Sequence, residues 1–289
     1  MKMLFKYLCV MIAVASLGSS CKKNNDDNPQ STDTVMKDVP YASISSLQKM
    51  DVYLPATRNT TDTKIIVFIH GGGWNAGDKT DFDEAINTMW PSLKEYAIFN
   101  INYRLADGGA NANPAQINDV TAAIDFITAK ADEYKINTNA IGLVGASAGA
   151  HLALLKAYKL NTNNKIKAVI DLFGPTDLTW MYNNHPLPMY AQPQIANFIG
   201  GTPATKPAAY AEASPLNYVS ATSPATQIFH GTADPVVPIS ESQRLNTKLQ
   251  TFGVTHEYIT YAGEQHGWAG ANLTDTYTKA GAFVKLYVK

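Results

Sequence analysis

A single serine stands in a pattern that favours nucleophilic chemistry. Gly145-Ala-Ser-Ala-Gly149 follows an apolar, strand-like run and precedes small, helix-forming residues, which is the strand–turn–helix context that a G-x-S-x-G motif requires. The sharp turn would lift the Ser147 hydroxyl clear of a sheet. The following helix would point its N-terminal N–H groups and dipole at an anion that develops there. We therefore expect Ser147 to be a nucleophile, with an ordinary Gly-rich turn as the alternative.

The segment His70-Gly-Gly-Gly-Trp74 directly follows another apolar run, which predicts a buried strand. Three consecutive glycines cost backbone entropy, and this cost is explained if a substrate must approach the backbone closely. In an acyl-transfer site the amides of Gly72 and Gly73 would join that of Ala148 in an oxyanion hole. Trp74 would either add its own N–H or only wall the pocket. A flexible turn is the alternative interpretation of this segment.

A nucleophilic serine needs a general base, and the sequence offers six histidines. His266 lies in Gly263-Glu-Gln-His-Gly-Trp268, between the last predicted strand and the last predicted helix. A base on this loop can reach a serine above the sheet, so we predict that His266 is the base. The positions of the other five histidines indicate structural hydrogen bonds or places in loops. These are His70, His151, His185, His230 and His256.

The acid that orients this histidine should lie between serine and histidine in the chain. Asp234 directly follows a predicted strand, in a loop that two prolines stiffen. Because consecutive strands of such a sheet are usually neighbours, this loop should lie beside that of His266. Asp234 would hold the histidine tautomer and stabilise the imidazolium. Asp171 and Asp177, around the end of the preceding strand, are the competitors.

The elements that must position these residues alternate between apolar strands and amphipathic helices. Strands are predicted at 48–54, 64–70, 97–103, 141–144, 167–173, 227–230 and 257–261. Helices are predicted at 81–96 with a break near Pro91, and at 114–135, 148–156, 240–252 and 275–288. This order predicts an α/β fold with a mainly parallel sheet covered on both faces. Ligands of such sheets bind beyond the carboxyl ends of the strands, where all the candidate residues fall.

Five ordered motifs resemble the α/β-hydrolase superfamily. They are HGGGW with Asn75-Ala-Gly-Asp-Lys79, Asn102-Tyr-Arg-Leu105, GASAGAH, HGTADPVVP and Gln265-His-Gly-Trp268. The branch that they resemble most contains hormone-sensitive-lipase-like carboxylesterases and bacterial acetyl-xylan and feruloyl esterases. The resemblance covers residues 39–289.

This resemblance implies an α/β-hydrolase fold, ester hydrolysis through an acyl-enzyme, and no metal or organic cofactor. The branch also includes formamidases and lies near prolyl-peptidase-type domains, so an amide substrate stays open. The residues that match the family's triad are Ser147, Asp234 and His266, and those that match its oxyanion hole are Gly72, Gly73 and Ala148.

A long segment, about 175–222, separates two predicted strands at the place where this superfamily often carries a cap. A structureless loop of that length would be unusual, so we expect short helices that cover the site. Its aromatic and Met side chains would line a substrate cleft or form a small core of the cap. Three tryptophans are candidates for stacking on sugar or phenolic rings: Trp74, Trp180 and Trp268. The many polar residues in the cap favour a polar substrate with a small acyl group, namely acetylated plant-type polysaccharides, with feruloyl esters second.

The first residues predict export. Residues 1–20 have a basic start and an apolar run too short to span a bilayer, and small residues then precede Cys21. This order resembles a bacterial lipoprotein signal, although Leu17 lies four residues before the cysteine and not the usual three. We expect a signal peptide at 1–20, a lipidated Cys21, a polar tether over 21–38, and a lipid anchor in a Gram-negative outer membrane or periplasm. A plain secretory signal is the alternative.

The charge excludes one class of partner. The formal net charge is −1 and there are no basic runs, which argues against nucleic acid. Two hypotheses compete with an exported serine esterase: an amidase or peptidase with the same triad, and a catalytically silent carbohydrate-binding surface lipoprotein. An intact triad and oxyanion loop argue against the second.

Overall fold

A computed structural model describes residues 32–289. Its centre is an eight-stranded sheet in the order β1-β2-β4-β3-β5-β6-β7-β8. Strand β2 pairs antiparallel with β1 and β4, and all other pairs are parallel. The strands are β1 (Thr34–Pro40), β2 (Lys49–Leu54), β3 (Lys64–Ile69), β4 (Tyr96–Ile101), β5 (Ile141–Ala146), β6 (Ile166–Leu172), β7 (Ala225–Gly231) and β8 (His256–Tyr261).

Helices cover both faces of this sheet. Within the described range they are α1 (Asp83–Met89), α2 (Ala115–Ala129), α3 (Ala131–Tyr134), α4 (Ala148–Lys159), α5 (Leu178–Asn184), α6 (Pro188–Ile199), α7 (Pro207–Ala213), α8 (Ser240–Thr251) and α9 (Gly270–Tyr287). In β3, Ile65, Val67 and Ile69 join the core on one face, whereas Ile66 and Phe68 join the core on the other. Burial on both faces explains why the strand is almost continuously apolar. The predicted α/β-hydrolase fold is confirmed.

The first strand corrects one prediction. The tether predicted over 21–38 is wrong for residues 34–38, because β1 pairs antiparallel with β2 at the edge of the sheet. Its side chains are half-buried or exposed. Met36 and Val39 pack against the core, and Lys37 Nζ donates to Asp51 at 2.8 Å and to the Tyr53 hydroxyl at 2.7 Å. The predicted signal peptide and Cys21 lie outside the described residues.

Several helix boundaries also differ from the prediction. The helix predicted over 81–96 is only α1, flanked by the 3-10 turns Lys79–Phe82 and Trp90–Ser92. Likewise, α2 ends at Ala129 and α3 forms a separate turn. Helix α9 begins five residues before the predicted start, at Gly270.

The segment between β6 and β7 folds as the predicted cap of short helices. It comprises α5, α6, α7 and the 3-10 turn Pro215–Tyr218. Its apolar side chains pack into the core on the α4 face of the sheet. In the described part of the chain, no helix is long and apolar enough to cross a membrane, and no group of His, Cys, Asp and Glu side chains is arranged to hold a metal ion.

Candidate active site

The turn between β5 and α4 presents Ser147 in a strained conformation. Its φ and ψ are 53° and −119°, a region that a residue with a side chain adopts only where the surroundings enforce it. The flanking glycines permit this turn, because backbone atoms approach each of them too closely for a side chain. A Cβ on Gly145 would lie 2.4 Å from the Gly149 carbonyl oxygen, and one on Gly149 would lie 2.0 Å from that of Ile69. The spacing of the motif therefore has a steric cause.

Three side chains from three loops form one hydrogen-bonded chain. His266 Nε2 lies 2.9 Å from Ser147 Oγ, and His266 Nδ1 lies 2.7 Å from Asp234 Oδ2. These loops follow β5, β7 and β8, whose carboxyl ends meet at one edge of the sheet. Because a carboxylate accepts, Nδ1 carries the hydrogen, and Nε2 is free to accept the hydroxyl proton of Ser147. The arrangement can deprotonate the serine and return the proton to a leaving group.

The Asp234 side chain is buried and charged. Burial alone would raise its pKa, but hydrogen bonds from His230, His266 and the Val237 amide hold that pKa well below its usual range. Oδ1 accepts the backbone N–H groups of Val236 at 2.7 Å and Val237 at 3.0 Å. The carboxylate is therefore fixed in place, and it stays ionised at any pH at which this site would work.

The other histidines each have different partners, and none of them contacts Ser147. His151 is wholly buried, which lowers its pKa to about 4, and its Nε2 lies 2.7 Å from the Ala213 carbonyl oxygen. Both ring nitrogens of His185, His230 and His256 bond to backbone or neighbouring side chains, whereas His70, among the residues that the structure describes, bonds only through Nδ1, to the Gly71 carbonyl oxygen. The two competing acids also lie elsewhere: Asp171 bonds the Gly174 amide, and Asp177 caps α5.

The glycine loop faces the serine. Gly72 and Gly73 have φ of 98° and 56°, in the left-handed region where glycine is favoured. Among residues 32–289, the amides of Gly72, Gly73, Trp74 and Ala148 donate to no protein acceptor. The same residues line one cavity together with Ser147 and His266. This is the arrangement that an oxyanion hole requires, with donors left free for a substrate oxygen.

The cavity has a volume of about 460 Å³. The glycine loop lines part of it, and the cap contributes Met181, Tyr190 and Gln194. Much of the remaining lining is apolar and includes Phe173, Pro175, Val236 and Val237. A few polar groups in a mainly apolar pocket are typical of a small-molecule site.

Comparison with known proteins decides the family. The BD-FAE family model matches residues 50–249 of this chain. The chain belongs to the BD-FAE family. The matched range contains Ser147 and Asp234 but ends before His266. The hydrogen bonds of His266 to those two residues place it in the same site.

Three proteins show what this BD-FAE chain is similar to. A structure described as a truncated form of a carbohydrate esterase from gut microbiota is 27% identical, with a TM-score of 0.71 over 88% of this chain and 98% of that one. The bifunctional GH43-CE protein of Bacteroides eggerthii is 31% identical, with a TM-score of 0.75 over 87% of this chain and 38% of that one. Esterase LipQ of Mycobacterium tuberculosis is 25% identical over 80% of this chain and 56% of its own. The chain thus spans about half the length of the curated relatives that it matches.

The three tryptophans predicted as stacking platforms of this BD-FAE site are not free to stack in the cavity. Trp74 lines it, but the ring is 2% exposed, stacks on Phe198 at 4.3 Å and donates Nε1–H to His151 Nδ1 at 3.2 Å. Trp180 lines a separate groove on the protein surface, where Arg244 lies over its ring at 5.1 Å. Trp268 lies behind the site, where it packs on Phe173 and donates to Thr276. The structure gives Trp74 and Trp268 packing contacts and places Trp180 in another groove, so it favours packing over stacking on a substrate for these three rings.

Sequence reasoning expected aromatic and polar residues of the cap near a substrate, but it did not identify Phe173 or say which cap residues line the cavity. Phe173 packs against the His266 ring at 4.5 Å, and its φ of 49° is unusual for an aromatic residue. Gln194 and Tyr190 reach the cavity from α6. No local motif marks these positions. A polar residue on the buried side of a cap helix was the one available signal for Gln194.

Proposed function

We propose that this chain is a carboxylic ester hydrolase that works through an acyl-enzyme on Ser147. One observation carries the proposal: His266 bonds Ser147 Oγ with one nitrogen and buried Asp234 with the other, opposite unoccupied backbone amides. Relatives named as esterases support it. Each component matches a step of acyl transfer, so no further group is required from the chain.

In the first half-reaction, Ser147 Oγ attacks the ester carbonyl carbon while His266 Nε2 takes the hydroxyl proton. The carbonyl oxygen becomes an oxyanion, which accepts hydrogen bonds from the amides of Gly72, Gly73 and Ala148. Asp234 stabilises the imidazolium that forms. Collapse of the tetrahedral species breaks the bond to the alcohol, which leaves with the proton from His266.

In the second half-reaction, water replaces the alcohol. His266 takes a proton from this water as its oxygen attacks the acyl carbon, and the oxyanion forms again in the same hole. Collapse then releases the carboxylic acid and returns the proton to Ser147 Oγ. The strained turn and the rigid acid keep the serine and histidine aligned through both halves, so little reorganisation is needed.

We propose acylated carbohydrates, and in particular acetylated xylan-type polysaccharides or their oligomers, as the substrates. The similarity to a gut carbohydrate esterase supports this class. The cavity of about 460 Å³ suits a small acyl group. Gln194 offers an amide to a polar substrate from the cap, because it lines the cavity beside Gly73.

Feruloyl esters are the second candidate, and one observation favours them. Tyr190 lines the cavity and is 48% exposed, and it adjoins Met189 and Leu187, which are also exposed. This apolar rim on α6 could hold an aromatic ring by stacking. It replaces the three tryptophans as the candidate platform.

The substrate is tested by kcat/KM on acetylated xylo-oligosaccharide, methyl ferulate and p-nitrophenyl esters of rising chain length. We expect the highest values on acetylated sugar and short acyl chains. A maximum at long acyl chains, with no activity on acetylated sugar, contradicts the substrate proposal while leaving ester hydrolysis intact. Amides and dipeptides with matched leaving groups test the amidase alternative, and hydrolysis of these at rates equal to the esters favours it.

We also propose that the protein is exported and anchored by lipid at Cys21. The motif over 1–21 supports this location, together with a substrate class that is found outside the cell. Two acyl chains on one cysteine would provide stable membrane attachment.

A further inference from the structure

His230 is a second histidine, besides His266, that lies close to the Asp234 carboxylate. It lies near the end of β7 and its side chain is wholly buried. Its Nδ1 lies 2.7 Å from Ser242 Oγ, and its Nε2 lies 2.9 Å from the Val237 carbonyl oxygen and 3.2 Å from Asp234 Oδ2.

These contacts fix which nitrogen carries the hydrogen. The Val237 carbonyl and the Asp234 carboxylate can only accept, so both require a hydrogen on Nε2. The Ser242 hydroxyl can donate to Nδ1. A neutral ring with its hydrogen on Nε2 therefore satisfies every contact, and that single N–H is shared between the carbonyl and the carboxylate.

Asp234 Oδ2 thus lies close to two histidine rings: it accepts from His266 Nδ1 at 2.7 Å, and His230 Nε2 lies 3.2 Å from it. Its other oxygen accepts two backbone amides. Hydrogen bonds to a carboxylate spread and stabilise its charge. The donor on the His230 side consequently limits both the rotation of the carboxylate and the charge that Oδ2 presents to His266.

We propose that His230 is a positioning residue of this site: its Nε2–H holds the Asp234 carboxylate for His266 and moderates the basicity of the pair. This proposal rests on the ester hydrolysis proposed above. His230 touches neither Ser147 nor the cavity, so it acts only through Asp234.

The titratable groups that face His230 come from each element packed against it. Asp171 on β6 lies near enough for its charge to interact with the ring, and burial raises its pKa to about 7. Glu241, which precedes Ser242 on α8, is also wholly buried with a pKa raised to about 7. On β8 the paired residue is Thr260, which carries no charge.

The groups that face His266 are fewer. They are the Ser147 hydroxyl, the Asp234 carboxylate and the uncharged ring of Phe173. Asp171 and Glu241 stay unchanged in every variant below, so any effect that they have on the pH profile is common to all of them.

The test compares His230→Asn with His230→Gln by the pH profile of kcat/KM on p-nitrophenyl acetate. The Asn amide reaches only the Nδ1 position, whereas the Gln amide can reach the Nε2 position and restore the donor. We expect His230→Asn to lower kcat/KM about tenfold to a hundredfold and to move the acidic limb up by about half a pH unit. In His230→Gln, the acidic limb of the pH profile should stay at the same pH as in the wild type. Ser242→Ala is the matched control, since it disturbs the same buried ring but leaves Nε2–H on Asp234, and it too should keep the limb.

An unmoved limb in a folded His230→Asn variant overturns the proposal, and so does an equal shift in Ser242→Ala. A second measurement avoids variants that fail to fold. Ring ¹⁵N shifts of the wild type should show the hydrogen of His230 on Nε2, and a hydrogen on Nδ1 contradicts the proposal. If the wild type hydrolyses no ester, the proposed function fails first, and the ¹⁵N result still decides the His230 contact.

Discussion

The amide group of Gln194 lies directly against Gly73 of the oxyanion loop. A Cβ placed on Gly73 would come within 1.8 Å of Gln194 Nε2, so the cap and the loop meet without a side chain between them. Helix α6 thereby brings a polar group from outside the hydrolase sheet to the point where a substrate carbonyl would bind. The cap is therefore part of the site and does not merely cover it.

Gln194→Ala tests this contact. We expect kcat/KM on acetylated xylo-oligosaccharide to fall about three- to tenfold, the value of one hydrogen bond. Gln192→Ala is the control, because Gln192 lies on the same helix but bonds the Tyr182 carbonyl and does not line the cavity. Equal effects of the two substitutions would remove Gln194 from substrate recognition.

Gly72→Ala tests the oxyanion loop. At φ of 98°, a Cβ on Gly72 would lie 2.2 Å from the backbone oxygen of Ala76, so the loop must move. We expect kcat to fall by about a hundredfold or more, as for the loss of one oxyanion donor. Gly109→Ala is the control, since its Cβ would meet only Asp107 at an ordinary 3.6 Å. Full activity in Gly72→Ala would place the hole elsewhere.

The buried acids Asp171 and Glu241 predict that stability depends on pH. Burial raises both pKa values to about 7, so between about pH 4.5 and 7 the folded state binds more protons than the unfolded state. The stability that these two acids contribute is therefore fully present below that window and is lost as the pH rises through about 7, by about 4 kcal/mol for Asp171 and about 3 kcal/mol for Glu241. His151, whose pKa burial lowers to about 4, contributes with the opposite sign, because its cost falls as the pH rises from about 4 to 6.5. Asp234 stays ionised throughout this range and adds no slope.

Glu241→Gln isolates one of these groups. The glutamine oxygen can still accept the amides of Thr176 and Asp177, but it does not titrate. Between pH 5 and pH 8, the free energy of unfolding measured in urea should fall by less in this variant than in the wild type, because the contribution of Glu241 is removed. An unchanged difference would show that Glu241 ionises in the folded state as it does in water.

Cys21→Ser tests the anchor. If Cys21 carries the acyl chains, the serine variant should move from the membrane fraction to the soluble fraction after cell disruption, because the hydrophobic attachment is lost. Lys22→Ser is a neighbouring control that should leave the distribution unchanged. An unaltered membrane fraction in Cys21→Ser would favour a plain secretory signal and another means of retention.

The sequence was sufficient for the parts of the site that depend on local motifs and chain order. Ser147 is marked by a turn with steric rules, and His266 and Asp234 follow consecutive strands, so the parallel sheet brings their loops together. That ordering was enough to prefer Asp234 over Asp171 and Asp177. The hydrogen bonds among the three residues agree with these expectations.

Other features depend on contacts between distant parts of the chain, which local patterns do not encode. Strand β1 lies at a sheet edge and buries none of its side chains fully, so its sequence lacks the continuous apolar run that marks the central strands. The ring of Trp74 is covered by Phe198, a cap residue more than a hundred positions away. Gln194 and His230 likewise depend on such contacts. Helix α6 brings Gln194 to the cavity, and the loop after β7 brings Asp234 and Val237 to His230.

The central claim, that Ser147 is a nucleophile activated by His266, is tested most directly by labelling with a fluorophosphonate probe. In the folded wild type, mass spectrometry should find the phosphonate on the peptide that contains Ser147. The label should be absent in Ser147→Ala and strongly slowed in His266→Ala, while Ser242→Ala reacts normally. A well-folded wild type that takes up no probe, or takes it up at another residue, would contradict the account.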